Sequence, residues 1–313
     1  MLISFVIPCY HSTETVGLVV QSIEELAEAN NYDTEIILVN DGPKAATFEK
    51  IKELHEKYNN VTGIDLTKNQ GQQNALMAGF SHIAGDVVVV CDDDGQTPVE
   101  ALPEMLELME HNDLDAVFAH YVSTHNGIFR RFGSAMNNFM QNKFLGKPED
   151  LTTSAFWIAK RLVVEEIKKY KNPYPYMSGL ILRTTSRIGN VELEQKDRIA
   201  GSSGYNVKRL VGLWISGVTT CSAKPLRYSN FAGFIFAFAG FVAMIIQVVR
   251  KIMGLDIDAG WTSLIASIWL VGGFILIVLG VIGEYIGRIY ISMNSTPQYV
   301  EREVLEKKGK QTE

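Results

Sequence analysis

Cysteine is scarce in this chain. Cys9, Cys91 and Cys221 are scattered, odd in number and form no CxxC pair. That pattern excludes a disulfide framework and a zinc site built on cysteine pairs, and leaves free thiols of a reducing compartment. A basic excess is missing too. With 29 Lys+Arg against 35 Asp+Glu the formal net charge is −6, so no nucleic-acid partner is expected. The glycine patterns that cradle phosphates are absent: no GxGxxG follows the first apolar run, Pro8–Thr13 holds no glycine, and GxxxxGKS/T does not occur. Dinucleotide-binding and P-loop readings lose their fingerprint. No leader is visible in the sequence. Met1–Pro8 has no basic start and too short an apolar run for a signal-peptide core, so it reads as a first strand, with the N-terminal domain expected in the cytosol.

What is present is uneven. Residues 1–229 read as mixed soluble sequence, whereas 230–300 are far more apolar. Within 1–120, β-rich runs alternate with helical spacing. Leu2–Pro8, Glu35–Asn40, Val61–Leu66, Asp86–Cys91 and Asp115–Ala119 read as strands. Thr13–Asn30, Ala45–Tyr58, Gln72–Ala84 and Val99–Glu110 read as helices between them. Such alternation predicts βαβ units and a mostly parallel sheet. Ligands of such sheets bind beyond the carboxyl ends of the strands. Pro8-Cys9-Tyr10, Asn40-Asp41-Gly42 and Asp92-Asp93-Asp94 all stand there.

The acidic triplet is the strongest local signal. Consecutive carboxylates repel unless something neutralises them, and a hard divalent cation, Mg²⁺ or Mn²⁺, does so through carboxylate oxygens and substrate phosphates. Asp92 and Asp94 would project to one side of an extended segment; a solvated acidic turn is the plainer alternative. Asp41 could accept a hydrogen bond from a base or ribose, or could simply belong to an Asp-Gly turn. Lys68–Asn74 opens a helix, where free N–H groups favour an anion. Arg198–Tyr205, with Ser202 and Ser203, sets an arginine and hydroxyls before another helical pattern and suits phosphate; a surface loop reads equally.

Phe231–Val249 and Thr262–Gly283 carry no charged side chain. At 1.5 Å per residue each spans roughly 30 Å, about the thickness of a hydrocarbon core. A two-helix transmembrane hairpin is therefore expected, with both termini on the cytosolic side. Phe129–Leu145 and Tyr205–Val218 mix Arg130, Arg131, Lys143, Lys208 and Arg209 with large apolar residues, as membrane-surface helices do, although ordinary core-facing helices read similarly. The polar end, Glu301–Glu313, reads as solvated or disordered.

Together VIPCY, VNDG, KNQGQQNALMAG, DDDGQ, RIAGSSGY and KPLRY, followed by two apolar spans, resemble the family 2 glycosyltransferases of the GT-A fold. Within these they are similar to the polyprenyl-phosphate glycosyltransferases: dolichyl-phosphate mannose synthases and bacterial undecaprenyl-phosphate sugar transferases. The resemblance implies an α/β GT-A core over 1–120, an acceptor-binding part over 121–229, two membrane helices within 230–287 and a cytosolic tail over 288–313. It implies an integral protein of a bacterial-type plasma membrane, acting on a nucleotide sugar (a UDP-sugar first) and a polyprenyl phosphate. A homo-oligomer is left open. By the same resemblance Pro8, Tyr10 and Asp41 line the nucleotide pocket, and Lys68, Gln72, Asp92 and Asp93 help hold the nucleotide sugar. Asp92 and Asp94 form the DxD pair, with Asp94 and Gln96 nearest the metal. Arg198 and Ser203 hold phosphate, with Arg130 and Arg131 as further candidates; Asp92, Asp94 and Arg198 carry catalysis.

Two departures stand out. Thr97 occupies the place where relatives carry a second acid shortly after the DxD. Thr153–Trp157 occupies the place of an Asp-Phe-Arg element thought to hold a catalytic acid. These absences keep a membrane-bound nucleotide-binding pseudoenzyme or scaffold, or a transferase with another lipid acceptor, as alternatives. A processive synthase would need more spans and a QxxRW-type motif, and neither is evident.

Overall fold

A computed structural model describes residues 1–42, 45–121, 141–193, 224–253, 260–294 and 297–307. It divides into two units, 1–220 with 295–313, and 221–294. Of the surface helix predicted over 129–145 only Gln141–Leu145 is described, as a π-helical turn; the one predicted over 205–218 lies outside the described residues, as do Arg130, Arg131, Arg198 and Ser203.

The first unit is built on strands β1 (Leu2–Cys9), β2 (Asp33–Asn40), β3 (Val61–Leu66), β4 (Val87–Val90), β5 (Ala116–Tyr121), β6 (Trp157–Lys160), β7 (Ile188–Leu193) and β8 (Glu301–Leu305). Its helices are α1 (Val16–Asn30), α2 (Ala45–Lys57), α3 (Gln72–Phe80), α4 (Leu102–His111), α5 (Arg161–Lys168) and α6 (Met177–Thr184). The eight strands form one sheet in the order β7-β5-β6-β4-β1-β2-β3-β8. β1 lies between β2 and β4, parallel to both, and β3 continues parallel to β2. The mostly parallel sheet read from the alternation is therefore there. β6 inserts antiparallel between β4 and β5, and no alternation of strand with helix signals such an insertion.

Side chains on successive strand positions face opposite sides, and both sides of this sheet are covered. On one face Phe5 and Ile7 of β1 belong to a core with Val20, Ile23, Phe48, Ile51 and Met105 from α1, α2 and α4. On the other, Val6 joins Leu76, Phe80, Val163 and Ile181 from α3, α5 and α6. Burial from both sides explains the unbroken valines of β4, as central parallel strands require. α3 approaches β1 closely: a Cβ on Gly79 would meet Val6 Cγ1 at 2.4 Å. That contact fixes where the start of α3, and so Gln72, stands above the sheet.

The second unit consists of α7 (Lys224–Ile252) and α8 (Trp261–Met293), each longer than the apolar run that predicted it. Phe236 and Phe274 join them, with ring centroids 4.6 Å apart. Phe234, Phe238, Trp269 and Leu276 are exposed. Among the described residues one helix, Ser267–Met293, is long and apolar enough to cross a membrane.

The C-terminal segment differs from the expected solvated tail. Residues 301–305 form β8, antiparallel to β3, and Gln298 Nε2 donates to the carbonyls of Tyr170 and Asn172 at 3.0 and 2.7 Å. Val304 and Leu305 carry too little apolar character to show up beside the surrounding charges, yet they pack on the two cores. Lys307 then reaches Glu35, buried within β2. Ser4 Oγ donates to the same carboxylate at 2.6 Å, and the amides of Ala84 and Gly85 also donate to it.

Burial alone would raise the Glu35 carboxyl; hydrogen bonds from Lys307, Ser4 and Ala84 outweigh it and hold the group below its ordinary value. A carboxylate depressed in the folded state contributes stability above its unfolded pKa, and loses it as pH falls through the folded one. Lys307→Ala is therefore expected to cost about 1–3 kcal/mol at neutral pH, since it strips a buried charge of its cation. It should also move acid unfolding to higher pH. Thermal unfolding of the purified protein across pH checks this; superimposable pH profiles would contradict it.

Candidate functional site

In the order β3-β2-β1-β4, the chain steps away from β1 in one direction and later returns to its other side. That makes the gap between β1 and β4 the switch point, where open parallel sheets bind ligands. A hydrogen bond spans it: the Tyr10 amide, just after β1, donates to Asp93 Oδ2, just after β4, at 2.8 Å.

The other predicted residues gather around that bridge. Asp41 ends β2 and is buried; its amide donates to the Cys9 carbonyl at 2.9 Å. Its Oδ1 accepts the Gln70 amide at 2.6 Å, which draws the loop after β3 over the end of β2. Gln72, at the start of α3, donates from Nε2 to Asp92 Oδ1 at 2.8 Å. Lys68 lies exposed in the same loop, and Tyr10 presents a half-exposed ring whose edge meets His11 at a centroid distance of 4.2 Å. Pro8 is buried inside β1, opposite Val39.

The acidic segment is not extended. Residues 93–94 turn, and Gly95 has φ +74°, a backbone that L side chains seldom adopt. The Gln96 amide donates to Asp94 Oδ1 at 3.0 Å. The alternating projection expected of Asp92 and Asp94 is thus replaced by a tight turn, because the triplet must leave β4 and re-enter the chain at the helical turn Val99–Ala101. The three carboxylates serve different purposes. All three are partly exposed; Asp93 binds the β1 end, Asp92 accepts from Gln72 and Asp94 accepts the Gln96 amide.

Their charge is felt by neighbours. Burial first, and then the charges of Asp92, Asp93 and Asp94, push the Cys91 thiol up. Tyr121 at the end of β5 is raised by burial and then by Asp92, Cys91 and Asp94. Asp41 is raised by burial, partly offset by the Gln70 and Gly71 amides. Asp93 is raised chiefly by burial, with the Tyr10 amide opposing and Asp94 adding to the shift.

The oxygens of Asp92, Asp94 and Gln96 fit a hard divalent cation. Among the described residues no group of three or more His, Cys, Asp and Glu could enclose a metal. The turn offers an incomplete oxygen shell, suited to Mg²⁺ or Mn²⁺ that completes its coordination with phosphate oxygens and water. The negative field on Cys91 and Tyr121 is the kind that a bound cation relieves.

Where the resemblance implies further acids, neutral groups are tied into the structure. The buried Thr97 accepts the Asp92 amide at its hydroxyl oxygen, at 3.4 Å. Thr153 Oγ1 donates to Gln141 Oε1 at 2.8 Å, Gln141 Nε2 donates to Tyr176 Oη at 2.8 Å, and Ser154 Oγ donates to the Phe156 carbonyl at 2.7 Å.

Sequence reasoning passed over Tyr121, the Gln70 amide and an Asn40–Asp65 pair at 2.7 Å. Of these only Asp65 left a trace, an acid inside the strand run Val61–Leu66.

A family model described as "Glycosyl transferase family 2" matches residues 4–168. The chain is 30% identical to the prophage bactoprenol glucosyl transferase homolog of Escherichia coli (strain K12), over 97% of this chain and 99% of that protein. It is 27% identical to the undecaprenyl-phosphate 4-deoxy-4-formamido-L-arabinose transferase of Yersinia enterocolitica serotype O:8, over 97% and 93%. Among solved structures it is similar in fold to glucosyl-3-phosphoglycerate synthase from Mycobacterium tuberculosis in complex with Mn²⁺ and UDP-glucose. That likeness has a TM-score of 0.52 at 17% identity, and covers 70% of this chain and 79% of that one.

A raised carboxyl weakens the fold when ionised: the folded state binds the proton more tightly, so stability falls as pH rises through the folded pKa. Asp93→Asn removes that charge and keeps an oxygen for the Tyr10 amide. It should raise Tm by about 2–4 °C at neutral pH, with the gain vanishing as pH falls through the folded pKa. Melting curves from pH 4 to 8 check it; a Tm at or below wild type at neutral pH would refute it.

Proposed function

The chain belongs to glycosyl transferase family 2, and we propose that it moves a sugar, with inversion, from a nucleotide sugar to a polyprenyl phosphate at the cytosolic face of a membrane. The observation that carries this is the acid turn at the switch point, tied to β1 through Tyr10 and to α3 through Gln72. Full-length similarity to a bactoprenol glucosyl transferase homolog and an undecaprenyl-phosphate sugar transferase supports the acceptor class. The UDP-glucose complex of the fold neighbour makes a UDP-sugar the first donor to try.

In this reading Asp41 and Tyr10 hold the nucleoside, while Lys68 and Gln72 support the diphosphate. A divalent cation, Mg²⁺ or Mn²⁺, on Asp94 with Gln96 beside it would neutralise charge on the departing nucleoside diphosphate. Arg198 and Ser203 are proposed to hold phosphate, with Arg130 and Arg131 behind them. The acceptor phosphate oxygen attacks the anomeric carbon from the side opposite the diphosphate. The bond from that carbon to the diphosphate oxygen breaks as the bond to the lipid phosphate forms, and the configuration inverts.

The neutral Thr153–Trp157 stretch favours this acceptor. An alcohol must lose a proton during transfer and benefits from a positioned base. A phosphate monoester, with a second pKa of about 6, is already ionised at neutral pH. It needs placement and charge compensation, which arginines and hydroxyls provide without a carboxylate. The exposed apolar surfaces of α7 and α8 are proposed as the membrane hairpin that keeps the reaction at the lipid surface.

The defining experiment incubates purified protein with a panel of sugar nucleotides, undecaprenyl phosphate and Mg²⁺ or Mn²⁺, and identifies the glycolipid by mass spectrometry. A protein that binds nucleotide but forms no product would be the pseudoenzyme instead. Asp94→Ala is expected to lower turnover by about 100-fold or more while leaving the protein in the membrane fraction; near-normal turnover would remove the cation from this turn. Against matched acceptors, undecaprenyl phosphate should react and undecaprenol should not; preference for the alcohol would overturn the acceptor argument.

A further inference from the structure

β8 begins at Glu301, shortly after α8 ends at Met293, and it holds more than the edge of the sheet. The Val300 carbonyl accepts the Thr67 amide at 2.9 Å, and Arg302 Nη2 donates to the Thr67 carbonyl at 2.9 Å. The base of the loop that carries Lys68, Gln70 and Gln72 is thus gripped on both sides of one residue. The other arm of the same guanidinium lies 3.5 Å from Asp65 Oδ2. Asp65 is buried, and its Oδ1 accepts Asn40 Nδ2 at 2.7 Å. Asn40 in turn braces the turn that contains Asp41: its Oδ1 accepts the Gly42 amide, and its Nδ2 approaches the Gly42 carbonyl, both at 3.3 Å.

Resting on the donor reading above, we propose that Arg302 is a positioning residue of the nucleotide pocket. It sets the Thr67–Gln72 loop through Thr67, and the Asp41–Gly42 turn through Asp65 and Asn40. The two branches converge where the Gln70 amide meets the Asp41 carboxylate. A strand that follows the membrane helices in sequence thereby governs how well the donor is held, without touching the reacting atoms.

The test measures UDP binding, by calorimetry with Mg²⁺, and donor KM and kcat on the full-length protein in nanodiscs. Arg302→Ala should weaken UDP binding and raise donor KM by about fivefold, as loss of a partly exposed charged hydrogen bond would, with kcat changed less than twofold. Arg302→Lys should recover part of the loss. Asp65→Asn should reproduce the defect, and the double variant should add little to either, because the two residues act as one link. Glu303→Ala, on the same strand and paired only with Lys52 among the described contacts, is the control and should bind as wild type. Wild-type affinity in Arg302→Ala overturns the proposal. So does equal weakening in Glu303→Ala, which would mean that loosening the strand anywhere suffices. If the wild-type protein binds neither UDP nor another nucleotide of the panel, the donor reading fails and takes this inference with it.

Discussion

Three consecutive carboxylates leave a strand that is buried on both faces, and the rest of the site exists on the terms this sets. Like charges so close must be bound, buried or screened. The chain turns Asp93 back to β1, where the Tyr10 amide donates to it, and ties Asp92 to Gln72 and Asp94 to the Gln96 amide. The division has a physical cost, visible in the Asp93 carboxyl, which burial first and then the charge of Asp94 push up. A fold selected only for stability would have little reason to concentrate charge there. The proposed divalent cation supplies one, because it would relieve the repulsion between the carboxylates and leave positive charge to meet a diphosphate.

Holding charge in place requires a rigid floor. It comes from the two cores on either side of β1 and β4, whose side chains alternate between them. Gly79 lets α3 settle against β1, so the helix start that carries Gln72 arrives beside Asp92. The proposed donor pocket is in this sense a by-product of parallel-sheet packing. Strand ends converge at the switch point, and short polar residues placed there meet without long side chains reaching across solvent.

Much of this was legible because parallel strands and their helices announce themselves by period, and because residues at strand ends stand apart from the apolar runs before them. Asp41, Gln72 and the acid triplet were readable for that reason. The conformation of the triplet was not: extended alternation and a tight turn share a sequence until Gly95 is given its positive φ. β6 escaped because four residues with an amphipathic helix behind them look like part of that helix. β8 escaped because its charges read as solvated, and its partner strand lies more than 200 residues earlier. Asp65 left only a faint trace, a single acid inside a strand. Non-local pairing and backbone donors such as the Gln70 amide leave no composition signal at all.

The segment after α8 closes the sheet rather than trailing from it. It pairs with β3 and places Lys307 on the buried Glu35. The closing strand is therefore attached both to β2, through Lys307 on Glu35, and, through Arg302 and Thr67, to the loop over the proposed donor site. Because a buried carboxylate without its cation is costly, the same segment that braces this loop also carries part of the fold's stability.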